Sequence, residues 1–292
     1  MRAAATVLLL RETAGALEVL MVRRHAAIAF MGGMWVFPGG RLDEADAAAE
    51  ARRRLPPGAA ARMAPLRSAD GGRLMDDAAL ALHVAACRET FEEAGVLLAL
   101  DASGAPCAPG RVAALQGRRC VVERDSSEFL RLLEAEDLYL DVGALVYWSH
   151  WITPSFEPKR YDTRFFAIRV PSGQEVSADL SETTDAAWVR PAGVHEAIER
   201  GEMRIVPPTL YTLEDLADSH AAHGGLDAML AAEHGRATPP VMPRIEAGAE
   251  GVRVVMPWDP AYAGMSGEGL QPAEGFPPHL ACRRSSVTLR GS

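Results

Sequence analysis

The sequence predicts an α/β protein, because short apolar runs typical of β-strands alternate with stretches that show helical periodicity. The chain has 292 residues, of which 48% are hydrophobic and 24% charged, so it can form a full hydrophobic core. Near the N-terminus two strand-like runs, 5–10 and 17–22, flank the turn-like residues 13–16. This pattern predicts a β-hairpin as the first element.

The elements after the hairpin can be predicted in chain order. Residues 43–76 are rich in Ala, Arg and Pro and are expected to form an insertion of short helices and loops. The strongest helical pattern follows, with Asp77 as the expected N-cap and Gly95 as the expected C-terminal stop. Further strands are predicted at 144–152, 163–170 and 187–189, and further helices at 126–135, 191–200 and 208–219.

The composition of the chain changes after residue 235, where Pro and Gly become frequent. We therefore expect a main domain over residues 1–235 and a C-terminal extension over 236–292. Within the extension only Val252 to Met256 resembles a strand. The extension is expected either to pack on the main domain or to stay partly mobile.

Composition and charge exclude several classes of protein. With 39 acidic and 30 basic residues the formal net charge is −9, which argues against a protein that coats nucleic acid. No window holds about 18 uninterrupted apolar residues, so we expect no membrane partner. The four cysteines form no C-x-x-C pair and are expected to be reduced thiols of a cytoplasmic protein.

The strongest chemical signal is a group of carboxylates on the predicted helix. Glu89, Glu92 and Glu93 stand at i, i+3 and i+4 and therefore share one helix face. Like charges at this spacing destabilise a helix by a few tenths of a kcal/mol per pair. A divalent cation among them reverses that effect, and all-oxygen ligands favour Mg²⁺ or Mn²⁺. A solvated acidic helix face is the alternative interpretation of the three residues alone.

The ordered string around these carboxylates is more specific than the carboxylates themselves. The run R-E-T-F-E-E-A-G-V, which begins at Arg88, resembles the core of the Nudix box, the signature of the Nudix hydrolases. The family pattern is G-x5-E-x7-R-E-U-x-E-E-x-G-U, in which U is an aliphatic or aromatic residue. The run F-P-G-G that ends at Gly40 resembles the loop that opens this box.

The sequence departs from the pattern in three respects. Thr90 stands at position U, with Phe91 next to it. Gly40 precedes Arg88 by 48 positions, whereas the family pattern separates the corresponding residues by 14, so 34 residues are inserted. Counted back from Arg88, the first glutamate of the box falls on Leu80 and is expected to be absent. With the later run around Trp151 to Phe166, the long insertion resembles a branch of the family that includes the peroxisomal coenzyme A diphosphatases of animals.

The resemblance implies a fold and an activity. The fold is an α/β/α sandwich with a mixed β-sheet and a helical insertion in the box. The activity is metal-dependent hydrolysis of a nucleoside diphosphate linked to another moiety, with coenzyme A or an acyl-CoA as the expected small-molecule partner. Other conjugates, such as a nucleotide sugar, NADH or a dinucleoside polyphosphate, stay open, as do a non-catalytic ligand-binding module and a homodimer.

The resemblance also assigns roles to residues. Glu89, Glu92 and Glu93 are expected to bind Mg²⁺ or Mn²⁺, with the Gly40 carbonyl as a further ligand. Arg88 is expected to orient a box glutamate. The general base is expected to be a box glutamate or a later one, and Glu182 is favoured over Glu175. The catalytic set is thus Arg88, Glu92, Glu93 and Glu182.

Phosphate groups of such a substrate require cationic partners, and arginine suits them because it can form two parallel hydrogen bonds. The candidates lie beside the glycine loop or in the later run, although each could instead be a solvated strand or loop end. They are Arg23, Arg24, Arg41, Lys159, Arg160 and Arg164.

Overall fold

The computed structural model describes residues 1–26, 31–47, 49–155, 157–177, 183–248, 251–265 and 285–289. The strands are β1 (Arg2–Thr13), β2 (Ala16–Arg24), β3 (Trp35–Val36), β4 (Gly39–Arg41), β5 (Ala99–Leu100), β6 (Tyr139–Leu140), β7 (Val146–Ile152), β8 (Tyr161–Arg169), β9 (Thr183–Val189), β10 (Pro240–Val241), β11 (Arg244–Gly248), β12 (Gly251–Val255) and β13 (Ser286–Leu289). The α-helices are α1 (Ala49–Arg53), α2 (Ala59–Arg62), α3 (Asp76–Ala94), α4 (Pro109–Leu115), α5 (Arg119–Arg124), α6 (Ser127–Ala135), α7 (Val194–Glu199), α8 (Pro207–His223) and α9 (Leu226–Glu233).

The predicted hairpin lies at the centre of a mixed sheet. Among the described residues eight strands join this sheet, with the path β10-β7-β8-β1-β2-β3, while β4 pairs with β1 and β9 pairs with β2. Strands β1 and β8 run parallel, and β1 and β2 run antiparallel. The sheet is therefore mixed, as the family resemblance implies.

Helices cover both faces of the sheet. Along β1, Val7 and Leu9 pack into the core that contains α3 and the insertion, whereas Leu8 and Leu10 pack into the core that contains α8 and α9. Successive side chains of a strand point to opposite faces, so a strand with both sets buried must lie in the middle layer. The architecture is an α/β/α sandwich, and the predicted fold class is confirmed.

Helix α3 carries the carboxylates and begins at Asp76. The expected cap at Asp77 is wrong: Met75 occupies the N-cap position and makes no side-chain capping hydrogen bond. The C-terminal stop is confirmed, because Gly95 has a left-handed backbone with a φ of 68°. Its N–H donates to the carbonyl of Phe91 over 3.1 Å.

The insertion contains the short helices α1 and α2, as the sequence predicts, and is part of the core. Ala51, Ala59 and Leu66 are each only 1% exposed and pack in the same cluster as α3. The insertion is therefore fixed on one face of the sandwich.

The described part of the C-terminal region, residues 236–248, 251–265 and 285–289, packs on the main domain. Strand β10 extends the main sheet by pairing in parallel with β7, and β11, β12 and β13 form an antiparallel sheet of their own. Met256 and Tyr262 are fully buried. The predicted strand at Val252 to Met256 is confirmed as β12, whereas β10, β11 and β13 were not predicted.

None of the helices in the described ranges is long and apolar enough to cross a membrane.

Candidate active site

A cleft of about 1450 Å³ opens between the glycine loop, the C-terminal half of α3, the start of α8 and the C-terminal strands. Its carboxylates include Glu89, Glu92 and Glu93. Its aromatic side chains are Phe37, Trp151, Tyr161 and Phe165. The structure therefore brings the predicted carboxylate face and the predicted glycine loop to one place.

The glycine loop lies directly against the carboxylates of α3. The Gly39 N–H donates to Glu93 Oε2 over 2.9 Å. A Cβ atom at Gly40 would overlap the Glu89 carboxylate, and a Cβ at Gly39 would overlap the backbone of β1. Position 39 therefore requires glycine, whereas a side chain at Gly40 would have to displace the Glu89 carboxylate from the loop.

Arg88 lies behind the carboxylates and connects several of them. It donates to both oxygens of Asp46, over 2.8 Å from Nε and 2.9 Å from Nη2. Its Nη1 lies 3.0 Å from Glu89 Oε1 and 3.1 Å from Glu92 Oε1, and its Nη2 donates to the Arg41 carbonyl over 3.0 Å. The contact with Glu92 is an i, i+4 ion pair along the helix. These bonds position two of the predicted metal ligands.

Asp46 is the site residue that the sequence reasoning missed. It is 1% exposed and forms a bidentate pair with Arg88, 42 positions away. Counting forward from Gly40 instead of back from Arg88 reaches Asp46 after five intervening residues, as in the G-x5-E start of the family pattern. Leu80, which the backward count selects, packs in the hydrophobic core. The insertion therefore follows Asp46, and an aspartate stands where the expected carboxylate was thought absent.

Burial and like charge make the carboxylates suited to a cation. Burial raises the pKa of Glu89 to about 7, against the opposing effect of Arg88. Burial also raises the pKa of Glu92, and the charges of Asp46 and Glu123 add to that rise. A bound cation would favour the charged forms of these groups.

The donor set fits a hard divalent cation, because all the side-chain ligands on offer are carboxylate oxygens. Within the described ranges no three His, Cys, Asp or Glu side chains already stand in a metal-binding arrangement. Arg88 and the Gly39 N–H hold the carboxylates of α3 instead.

Two of the predicted phosphate-binding residues, Arg24 and Arg41, line the cleft. Arg124 of α5 lines it as well and was not predicted. Arg23, the neighbour of Arg24 on β2, is exposed and does not line the cleft as the described residues define it. Alternation along the strand separates the two arginines.

The later run does not bring its cations to the cleft, as far as the described residues define it. Lys159 is exposed, and Arg160 donates to the Thr153 carbonyl over 3.1 Å. Arg164 is 1% exposed and donates to the Arg67 carbonyl of the insertion over 2.6 Å. On β8, Tyr161, Thr163 and Phe165 face the cleft, so the alternate residue Arg164 faces the insertion.

The glutamates considered as the general base differ in where they lie. Glu182 lies outside the described residues. Glu175 is exposed and does not line the cleft within the described part of the chain. Glu123 of α5, which was not predicted, lines the cleft, and its charge contributes to the raised pKa of Glu92.

Cys87 is not suited to nucleophilic chemistry, although it adjoins Arg88. It is fully buried, and burial raises the pKa of its thiol far above the usual range. The structure thus supports a packing role for this residue.

Comparison with known proteins identifies the family to which the chain belongs. The family model described as the NUDT19 Nudix domain matches residues 1–216, and the chain belongs to this Nudix family. A crystal structure of a Nudix hydrolase from Alicyclobacillus acidocaldarius is 30% identical and superposes with a TM-score of 0.60. The match covers 79% of this chain and 96% of that one.

Two animal proteins are similar in sequence. The acyl-coenzyme A diphosphatase NUDT19 of Homo sapiens is 32% identical over 229 residues, which cover 69% of this chain. Its counterpart in Gallus gallus is 32% identical over 228 residues, or 67% of this chain. The match spans 60% of the length of each of these relatives.

Proposed function

We propose that the protein hydrolyses the diphosphate of coenzyme A or an acyl-CoA, releasing 3′,5′-ADP, which keeps the 3′-phosphate of the substrate, and 4′-phosphopantetheine or its acyl derivative. The observation that carries this proposal is the meeting of Glu89, Glu92 and Glu93 with the Gly39–Gly40 loop in one cleft of about 1450 Å³. The similarity to proteins named acyl-coenzyme A diphosphatase supports the choice of substrate.

The carboxylates of Glu89, Glu92 and Glu93 would hold Mg²⁺ or Mn²⁺, together with the Gly40 carbonyl. When bound, such a cation neutralises part of the negative charge of the diphosphate and lowers the pKa of a water molecule so that it can attack. Arg88 and Asp46 keep the carboxylates of Glu89 and Glu92 in place through the hydrogen bonds described above.

The reaction also requires side chains that bind the phosphate groups and a side chain that accepts a proton. Arg24, Arg41 and Arg124 line the cleft and provide the cationic contacts that a diphosphate needs. The attacking water must lose a proton to a carboxylate, for which Glu123 and Glu182 are the candidates. Substituting the base by Gln should lower kcat and remove the acidic limb of the pH–rate profile, whereas substituting the other glutamate should not.

We also propose that the protein works in the cytoplasm. Cys87, Cys107 and Cys120 are free thiols in the structure. Free thiols are typical of proteins kept in a reducing compartment.

The proposed function is tested with a panel of substrates, assayed with Mg²⁺, Mn²⁺ or a chelator. The panel contains coenzyme A, acetyl-CoA, NADH, ADP-ribose, a nucleotide sugar and a dinucleoside polyphosphate. We expect chelator-sensitive release of 3′,5′-ADP and 4′-phosphopantetheine from coenzyme A. Preference for another member would replace the substrate, and no turnover by folded protein would indicate a binding module.

A further inference from the structure

The C-terminal strands form an aliphatic wall of the cleft. Ile245 of β11 and Val252 and Val254 of β12 all line it. Ile245 pairs across the ladder with Val254, and Val252 follows on the same face two residues earlier. We call these three residues the aliphatic wall. Val206 and Pro207, at the start of α8, line the cleft as well.

The wall exposes apolar surface that a folded chain normally buries. Ile245 is 36% exposed and Val252 is 37% exposed. The described part of the chain has five large hydrophobic residues that are exposed to this extent, and Ile245 and Val252 are two of the five. Both lie in one cleft and on one face of one sheet. Exposed aliphatic side chains that face one cleft are typical of a binding site.

The other face of the same hairpin is mostly charged, so the apolar face is not a general property of these strands. Arg253 lies opposite Glu246 in the ladder and forms an ion pair with it over 3.4 Å. Arg253 also donates to Asp259 over 3.0 Å. Arg244 stands on this face as well, paired with the buried Val255. Charged residues thus predominate on the face turned away from the cleft, and aliphatic residues occupy the face turned into it.

The cleft is therefore divided chemically. Carboxylates and arginines surround the glycine loop, whereas the wall carries aliphatic side chains alone. The volume of about 1450 Å³ exceeds the roughly 300–1,000 Å³ of an ordinary small-molecule pocket. The cleft has room for a ligand that combines a diphosphate with a long apolar group.

We infer that the aliphatic wall binds the acyl chain of an acyl-CoA thioester. This inference rests on the proposed function, because the diphosphate of the same molecule is placed at the carboxylates. An alkyl chain matches aliphatic side chains that offer it no hydrogen bonds, whereas a purine ring would be better served by the aromatic residues of the cleft. The wall lies beyond residue 216, so the matched family model does not include it.

The wall should make turnover depend on acyl-chain length. A fully buried methylene group favours binding by about fourfold. We expect kcat/KM to rise at least tenfold from unacylated coenzyme A to decanoyl-CoA, with hexanoyl-CoA between them. The double variant Ile245→Thr/Val252→Thr should lose most of this rise, measured as the ratio of kcat/KM on decanoyl-CoA to kcat/KM on unacylated coenzyme A.

The matched control is Val121→Thr. Val121 is also 37% exposed and does not line the cleft as the described residues define it. The control should show the wild-type dependence on chain length. If the double variant keeps that dependence, or if the wild type shows none, the inference is overturned.

Calorimetric titration separates this inference from the proposed function. Wild-type protein is titrated with coenzyme A and with decanoyl-CoA, and the double variant is treated in the same way. Tighter binding of decanoyl-CoA that is lost in the variant, without hydrolysis of either ligand, would support the wall and contradict the proposed function. Equal affinities together with rapid hydrolysis would overturn the wall and leave the proposed function intact.

Discussion

Arg88 and Asp46 show how single residues position the candidate site. The Arg88 guanidinium is 5% exposed at its side chain and binds Asp46 from one side and Glu89 and Glu92 from the other. A buried charge that loses its partner is strongly destabilising, so these groups act together. Asp46 contacts Arg88 and not the cleft, and it is therefore a positioning residue.

Replacing Asp46 by Asn should lower kcat by about 10–100-fold, because residues that orient metal ligands contribute by that factor. Since Asp46 does not line the cleft within the described residues, KM for the substrate should change little. Steady-state kinetics with Mg²⁺ varied would show a higher metal requirement in the variant. Glu50→Gln, at an exposed carboxylate of the insertion, is the control. Equal kcat for Asp46→Asn and the control would contradict the positioning role.

Gly40→Ala should abolish most of the activity, because the added methyl group would occupy the position of the Glu89 carboxylate. Overpacking of this kind also costs about 1–3 kcal/mol of stability. Activity and urea denaturation should be measured together with Gly110→Ala as the control, since a Cβ at Gly110 meets nothing within 4 Å. A fully active Gly40→Ala protein would show that Glu89 and the loop do not need this contact.

At the scale of elements, strand alternation decides which predicted residues reach the cleft. The sequence identifies β8 as a strand, but both faces of the central strands are buried. Alternate side chains along such a strand then do not divide into a polar and an apolar set. The sequence therefore does not show which side chains face the cleft and which face the insertion. Arg164 could therefore not be separated from the phosphate-binding candidates. On the buried side of β8, Asp162 instead lies between His150 and Arg164. Its Oδ1 is 2.5 Å from His150 Nε2, and its Oδ2 is 2.7 Å from Arg164 Nη1.

The pH dependence of stability should show the contribution of the Asp162 carboxylate. Burial opposes ionisation of Asp162, but hydrogen bonds from His150 and Arg164 outweigh it and lower its pKa below the ordinary 3.8. A carboxylate with a lowered folded pKa contributes stability above its ordinary pKa and loses it as pH falls through the lowered value. Asp162→Asn should therefore cost about 2 kcal/mol at pH 7, the size of hydrogen bonds to a charged group.

Urea denaturation of both proteins between pH 7 and pH 3 provides the measurement. The difference in the free energy of unfolding between wild type and Asp162→Asn should become smaller as the pH approaches 3. Glu202→Gln, at an exposed ion pair with Arg200, should leave stability close to that of wild type throughout this pH range. A difference that stays constant down to pH 3 would show that Asp162 is not stabilised in its charged form.

At the scale of the whole molecule, the α/β class could be predicted because the central strands and α3 are long and periodic, whereas the sandwich arrangement was implied by the resemblance to the Nudix hydrolases. The carboxylate face could be predicted because a helix fixes which residues share a side. Asp46 could not be found by the backward count, since the insertion separates it from Arg88 along the chain. The short strands β10, β11 and β13 have little local pattern, and their pairing is decided by distant residues such as His150 of β7.

Phosphorus NMR of coenzyme A with Mg²⁺ shows whether the proposed hydrolysis depends on the carboxylate face of α3. Wild-type protein should convert the diphosphate resonances into two phosphomonoester resonances, and a chelator should stop this conversion. Glu92→Gln/Glu93→Gln should fold normally and leave the diphosphate intact, whereas Glu134→Gln, at an exposed position of α6, should match wild type. Wild-type conversion by Glu92→Gln/Glu93→Gln would contradict the assignment of these carboxylates.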